Sequence, residues 1–275
     1  MVRFENVGVR YETGPEILRD VTFSLPARSF HFLTGPSGAG KTTLLRLMYL
    51  AQRPTRGTIN LFGQAVAGLS RRELSALRRQ IGVVFQEYRL LNHLSAVDNV
   101  ALPLRIAGDN DVDVREHSAE LLRWVGLGGA LEARPSTLSG GQQQRIAIAR
   151  SVIARPRLLL ADEPTGNVDD GIGMRLLYLF EELYKLGATV VIATHNESLI
   201  EQFDHPRLHL DNGALRVFPG GAGQAACLAP VGMKDGEEKA AGSDDGKGFD
   251  LLRKTRALGE TDGRSNVDRV KWRRD

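Results

Sequence analysis

Two short strings carry most of the chemistry in this 275-residue chain. The first is Gly35-Pro36-Ser37-Gly38-Ala39-Gly40-Lys41-Thr42, which fills every fixed position of a phosphate-binding loop. Its glycines let the backbone wrap a phosphate with N–H groups pointing inward. Lys41 supplies a cation to the β- and γ-phosphates of a nucleotide, and Thr42 offers a hydroxyl to Mg²⁺. Thr43 can add a further phosphate hydrogen bond at the helix start. The second string is Leu138-Ser139-Gly140-Gly141-Gln142. Ser139 can cap a helix, and Gly140 and Gly141 then bare N–H groups where an anion is favoured. Read alone, this string is more often a plain helix cap.

Other reactive groups fall at the ends of apolar runs. Leu158-Leu159-Leu160-Ala161 ends in Asp162-Glu163. Asp162 is placed to hold Mg²⁺, directly or through water. Glu163 lies one step further, near where an attacking water must sit, and is the candidate general base or water-orienting group. Gln86 follows the run 81–85, and its neutral amide can touch Mg²⁺ or water. His195 follows the run 188–193. A lone histidine is more often structural, but the carboxyl end of a parallel strand is where ligands bind. There it could bond the γ-phosphate and keep Glu163 and the water aligned. Tyr11 offers an aromatic face to adenine, or is simply a half-buried strand tyrosine.

These groups need a particular scaffold. Alternation and β-branched content predict strands at 2–4, 7–11, 21–25 and 30–33, the last running straight into the phosphate loop. A helix over 43–50 completes the strand–loop–helix context that the loop requires. Further strands are predicted at 57–62 and 81–85. From about 87 to 155 the pattern turns helical, with apolar spacing at 97–104, 114–125 and 142–153. The continuous apolar runs 158–161 and 188–193 read as parallel strands buried on both faces, with a crossover helix over 175–186. A hairpin around Asp211-Asn212-Gly213 closes the folded part. Beyond Pro219, glycine, alanine and charge predict a disordered extension over 219–275, with a short helix conceivable at 249–258. Its basic end, Arg269-Val270-Lys271-Trp272-Arg273-Arg274, reads as a solvated tail or a weak contact for anionic lipid or a partner.

Bulk properties narrow the classes. With 42% hydrophobic residues the chain can build a real core. Lys and Arg number 36 against 33 Asp and Glu, a balance that gives no nucleic-acid footprint. The single cysteine, Cys227, excludes intramolecular disulfides and a zinc cluster and fits a reducing compartment. No stretch approaches the roughly 18 apolar residues that span a bilayer. The opening residues lack a signal peptide's apolar centre. The expectation is a soluble or peripheral protein, with another polypeptide doing any membrane spanning.

Taken in order, 35–42, Gln86, 138–142, Leu160-Ala161-Asp162-Glu163, Gly166-Asn167-Val168-Asp169 and His195 resemble the ATPase domains of the ABC family over about 1–218. The resemblance implies an α/β phosphate-loop NTPase core of the RecA-like kind, with a mostly parallel sheet. It adds an N-terminal antiparallel β subdomain and an α-helical subdomain over about 87–155. It implies ATP and Mg²⁺ as ligands. It further implies a homodimer packed head to tail, with ATP sandwiched between copies. Ser139, Gly140, Gly141 and Gln142 then act in trans, and Asp169 lies at the dimer contact.

Val2-Arg3-Phe4-Glu5-Asn6-Val7, Phe32-Leu33-Thr34-Gly35, the stretch 77–86 and the stretch 98–104 look like the family's cell-division branch. Its members partner an integral membrane protein at the cytoplasmic face of the bacterial inner membrane. Gly166-Asn167-Val168-Asp169 is shared with ATPases of lipoprotein release and small-molecule export, which form the alternative. A soluble ABC ATPase acting on nucleic acid or the ribosome fits less well. The chain has one module, no long coiled-coil insert and near-neutral charge. Two departures stand out. Asn196 takes the place where Asp commonly follows the histidine, for which a modest effect is expected, and 220–275 has no counterpart.

Overall fold

The computed structural model describes residues 1–166 and 170–220. Strands β1 (Val2–Arg10) and β2 (Glu16–Leu25) pair antiparallel. The sequence predicts two strands, 2–4 and 7–11, where one is found. The apparent break is a bulge: the register shifts between Phe4 and Val7, and Asn6 takes φ 48°. β3 (Phe30–Thr34) leaves this sheet for a second one. After the phosphate loop come α1 (Lys41–Met48), then β4 (Arg56–Leu61) and β5 (Gln64–Ala65), which complete a first sheet of order β2-β1-β4-β5.

Next is α2 (Arg71–Arg78), a helix that apolar spacing does not announce. Its signal is instead the Ser70–Glu73 capping box, in which each side chain accepts the other residue's backbone N–H. β6 (Ile81–Val84) is followed by the helical region, α3 (Ala96–Ala107), α4 (Asp111–Trp124) and α5 (Gly140–Val152). All three lie within a few residues of the predicted segments. β7 (Leu158–Asp162), α6 (Asp170–Lys185), β8 (Thr189–Ala193), α7 (Glu197–Phe203), β9 (Arg207–Asp211) and β10 (Ala214–Phe218) complete the described chain. β5 and α7 are too short to show a period, so the sequence reading passes over both.

The second sheet has the order β10-β9-β3-β8-β7-β6, parallel throughout except for the β9–β10 hairpin. Its central strands feed two cores by simple alternation. Leu158, Leu160, Val191 and Ala193 pack with α1 and the antiparallel sheet. Leu159, Ala161, Val190 and Ile192 pack with residues of α3, α4, α5 and α6. Burial on both faces is what the unbroken apolar runs of β7 and β8 predict. The expected α/β architecture, a mostly parallel sheet beside an antiparallel one and a helical region, is therefore the one observed.

α5 ties the helical region to the sheet. Near its end the Ser151 carbonyl approaches β6 so closely that a Cβ on Gly82 would lie 2.3 Å from that oxygen. The last helix of the predicted 87–155 subdomain is thus shared with the sheet core. Of the predicted extension, all but Pro219 and Gly220 lies outside the described residues. Among the described residues, no helix is long and apolar enough to cross a membrane.

Candidate nucleotide site

The phosphate loop occupies the turn between β3 and α1. Gly35, Gly38 and Gly40 take φ of 136°, 79° and 104°, values that a side chain disfavours. At Gly35 the restriction is absolute in space as well, because a Cβ would stand 2.0 Å from the Leu210 carbonyl oxygen. Lys41 Nζ donates to the carbonyls of Gly35 (2.6 Å) and Pro36 (3.0 Å), so its charge lies over the loop. Gly40 is the N-cap of α1 and provides no side-chain cap, which leaves first-turn N–H groups for a ligand. Pro36, Ser37 and Ala39 fill the loop, with the Ala39 N–H donating to the Pro36 carbonyl at 3.2 Å.

Thr42 joins this loop to the end of β7. Its hydroxyl donates to Asp162 Oδ2 at 3.1 Å. Burial pushes the Asp162 carboxyl above the ordinary carboxylate range. The Thr42 hydrogen bond works against that shift, and the neighbouring charge of Glu163 adds to it. Gln86 shares a cleft with Thr42 and Asp162, walled by Tyr49, Phe85 and Arg89.

Glu163 follows Asp162 in the left-handed region, at φ 49°. Its N–H donates to the Ala193 carbonyl on β8 at 2.9 Å. Its Oε1 is 2.8 Å from His195 Nδ1. The glutamate side chain is 17% exposed and the histidine 78%, so a largely enclosed carboxylate is touched by an open imidazole. Asn196, the residue after that histidine, donates its backbone N–H to the Thr194 hydroxyl at 3.2 Å.

Tyr11 sits beside the start of α1. Its hydroxyl is 3.4 Å from Thr43 Oγ1 and donates to Gln52 Oε1 at 2.7 Å. Thr43 itself is buried, and Tyr11 is 40% exposed. The second glycine string lies elsewhere, at the start of α5. Ser139 and Gln142 form a capping box: Ser139 Oγ accepts from the Gln142 N–H at 3.3 Å, and Gln142 Oε1 accepts from the Ser139 N–H at 2.9 Å. Ser139 and Gly140 are exposed. Among the described residues, no hydrogen bond or ion pair joins 138–142 to the phosphate loop of the same chain. The structure thus gathers Lys41, Thr42, Gln86, Asp162, Glu163 and His195, and sets Ser139, Gly140, Gly141 and Gln142 apart. Asp169 lies outside the described residues.

Two side chains that the sequence reading passes over support this site. Arg150 on α5 donates to the carbonyls of Tyr88 and Arg89, each at 2.8 Å, and so holds a pair of left-handed residues at φ 57° and 49° just after Gln86. Gln144, also on α5, donates its amide to the carbonyls of Glu163 (3.3 Å) and Pro164. The available signal was Gln144's position: a polar residue on the helix stripe that also carries the buried Ile148 and Ser151.

A phosphate loop, an aspartate bonded to its threonine and a glutamate–histidine pair beyond define a phosphate-loop ATPase. Residues 18–166 match the model of the ABC transporter family, and the chain belongs to that family as an ATP-binding, ATP-hydrolysing member. Over 223 residues it is 45% identical to the cell division ATP-binding protein FtsE of Escherichia coli K12, covering 81% of this chain and 99% of that one. It is 35% identical to the cell division ATP-binding protein FtsE of Streptococcus pneumoniae D39, covering 78% of this chain and 93% of the relative. The dimeric ATP-binding cassette MJ0796, in a post-hydrolysis state bound to ADP and Pi, matches with a TM-score of 0.75 at 33% identity. That match covers 80% of this chain and 98% of the other.

Proposed function

We propose that this chain is the ATPase subunit of a bacterial cell-division complex, works as a head-to-tail homodimer, and partners a membrane protein of the FtsX kind. The observation that carries the catalytic part is the continuous set Lys41–Thr42–Asp162–Glu163–His195, joined by Thr42–Asp162 and Glu163–His195 hydrogen bonds. The phosphate loop binds ATP, with Gly35, Pro36, Ser37, Gly38, Ala39, Gly40, Lys41, Thr42 and Thr43 around the phosphates. The exposed ring of Tyr11 receives the adenine.

The donor set suits Mg²⁺. A hydroxyl, an amide oxygen and a carboxylate are hard oxygen ligands, and the partly desolvated Asp162 is a carboxyl that a cation would relieve. Thr42, Gln86 and Asp162 would hold the ion, which when bound neutralises charge on the phosphate oxygens. Glu163 orients a water against the γ-phosphorus and takes its proton as the bond to ADP breaks. His195, through Nδ1, fixes the Glu163 carboxylate.

The dimer follows from the separation of the two strings. Ser139 and Gly140 are exposed and Gly141 and Gln142 half-buried; the four contact the nucleotide of the other copy, with Asp169 at the contact between copies. The dimeric cassette MJ0796 supports this reading. The cleft beside Gln86, lined by Tyr49 and Phe85, receives cytoplasmic segments of the membrane partner. The chain then sits peripherally on the cytoplasmic face of the inner membrane. There its ATP cycle drives control of septal peptidoglycan hydrolysis rather than movement of a solute.

Two experiments test this. Glu163→Gln should abolish phosphate release while ATP still binds; retained turnover removes Glu163 from the role of base. Affinity isolation of the full chain from membranes should recover a four-span FtsX-like protein. Recovery of a lipoprotein-release or export permease supports the related transporter reading instead. A ribosome or DNA complex removes the membrane reading altogether.

A further inference from the structure

Gln144 occupies a place where a polar side chain is costly. It is 1% exposed, and its Oε1 has no hydrogen-bond partner among the described residues. A buried acceptor left unpaired lowers stability, and a leucine of similar size would avoid that loss. The amide orientation is nevertheless dictated. Turned over, Oε1 would face the carbonyl oxygens of Glu163 and Pro164, which repel it. As placed, one NH₂ group serves both carbonyls.

Those carbonyls flank the peptide that aims Glu163. The residue sits in a left-handed conformation that a glutamate does not favour, at φ 49°. Its N–H is fixed to Ala193, and its carbonyl also accepts from the Gly166 N–H at 3.3 Å. Gln144 adds the only side-chain grip on that carbonyl among the described residues. It reaches across from α5, the helix that begins with Gly140 and Gly141.

We propose that Gln144 is a positioning residue for hydrolysis. Its amide holds the Glu163–Pro164 backbone so that the carboxylate points at the attacking water, and it links that carboxylate to the α5 start presented to the other copy's nucleotide. The inference rests on the reading of Glu163 as base and of 139–142 as acting in trans. It adds that the two sites of a dimer are joined through one rigid helix and one amide.

The test is a comparison of Gln144→Leu with wild type in the full-length protein. Measured are steady-state kcat, the Hill coefficient for ATP, the affinity for a fluorescent ATP analogue, and thermal stability. A misplaced base costs rate without costing ground-state binding. The expected result is a kcat lowered by about tenfold or more. Nucleotide affinity should stay within about twofold, and the Hill coefficient should move toward one. A smaller loss of kcat, or a loss matched by equal loss of affinity, overturns the proposal. If Gln144→Leu does not fold, Gln144→Asn, which keeps the amide but withdraws it by one methylene, is judged by the same criteria. Glu163→Gln run in parallel separates the two failures. If that variant retains turnover, the reading of the base has failed. If it is inactive while Gln144→Leu is not, only the role of Gln144 has failed.

Discussion

Gly35 leaves the phosphate loop no latitude. A methyl group there would meet the Leu210 carbonyl oxygen at 2.0 Å, on a backbone already at φ 136°. Gly35→Ala should therefore lower stability by about 3 kcal/mol or more, through a clash and a disfavoured dihedral together. Chemical denaturation gives the number, and a change below about 1 kcal/mol would contradict the geometry. Lys41 shows the complementary case. Its ammonium rests on two loop carbonyls, poised to turn to phosphate. Lys41→Ala removes charge-assisted bonds worth about 2–3 kcal/mol, so nucleotide affinity should fall by about 100-fold. Titration calorimetry showing unchanged affinity would take the loop out of the mechanism. Both residues are legible in the sequence because a phosphate loop requires a glycine and a lysine at this fixed spacing. Gln144 and Arg150 are not, since their partners are backbone carbonyls distant in sequence, to which residue spacing gives no clue.

At the scale of elements, α5 is the pivotal piece. Its capping box satisfies first-turn groups on both sides of the turn. Ser139→Ala should cost about 1 kcal/mol of stability, measurable as a shifted denaturation midpoint. β3 carries a different kind of strain. His31 is 2% exposed and its Nδ1 has no partner among the described residues. Burial, with the charge of nearby His205 second, pulls its pKa down to about 4. His205 itself is bonded to Glu181 and stacked on Phe30 at 4.1 Å.

The folded state therefore holds His31 neutral, while the unfolded chain protonates it near pH 6.5. Its contribution is fully present above that pH and is lost progressively as the pH falls from about 6.5 toward 4, on the order of 3 kcal/mol in all. Denaturation curves across that window should slope for the wild type and flatten for His31→Gln; equal slopes would contradict the burial argument. Elements of this kind were readable where burial imposes a pattern. β7 and β8 are unbroken apolar runs, and the long helices show their period. α2 announces itself only by Ser70 and Glu73, and the bulge at Asn6 looks like a gap between strands.

For the whole molecule, the central fact is a division of labour within one chain. The phosphate loop, Asp162, Glu163 and His195 form a connected group at the carboxyl ends of the parallel strands. The Ser139–Gln142 turn caps a helix that begins in the helical region and ends against the sheet. Both strings and their order are legible in the sequence, and that they meet between copies is what the ABC resemblance implies. What a linear reading lacks is the through-space link, because α5 touches the Glu163 and Gln86 loops only once the chain has folded.

The most direct test of the two-copy site is the mass of Glu163→Gln in solution with ATP, with and without a second change, Ser139→Arg. Glu163→Gln should give an ATP-dependent dimer. Glu163→Gln with Ser139→Arg should give a monomer that still binds ATP with little-changed affinity. A double variant that still dimerises, or a monomer whose ATP affinity collapses, would contradict a site shared between copies, because Ser139 would then serve either no site or the nucleotide of its own chain.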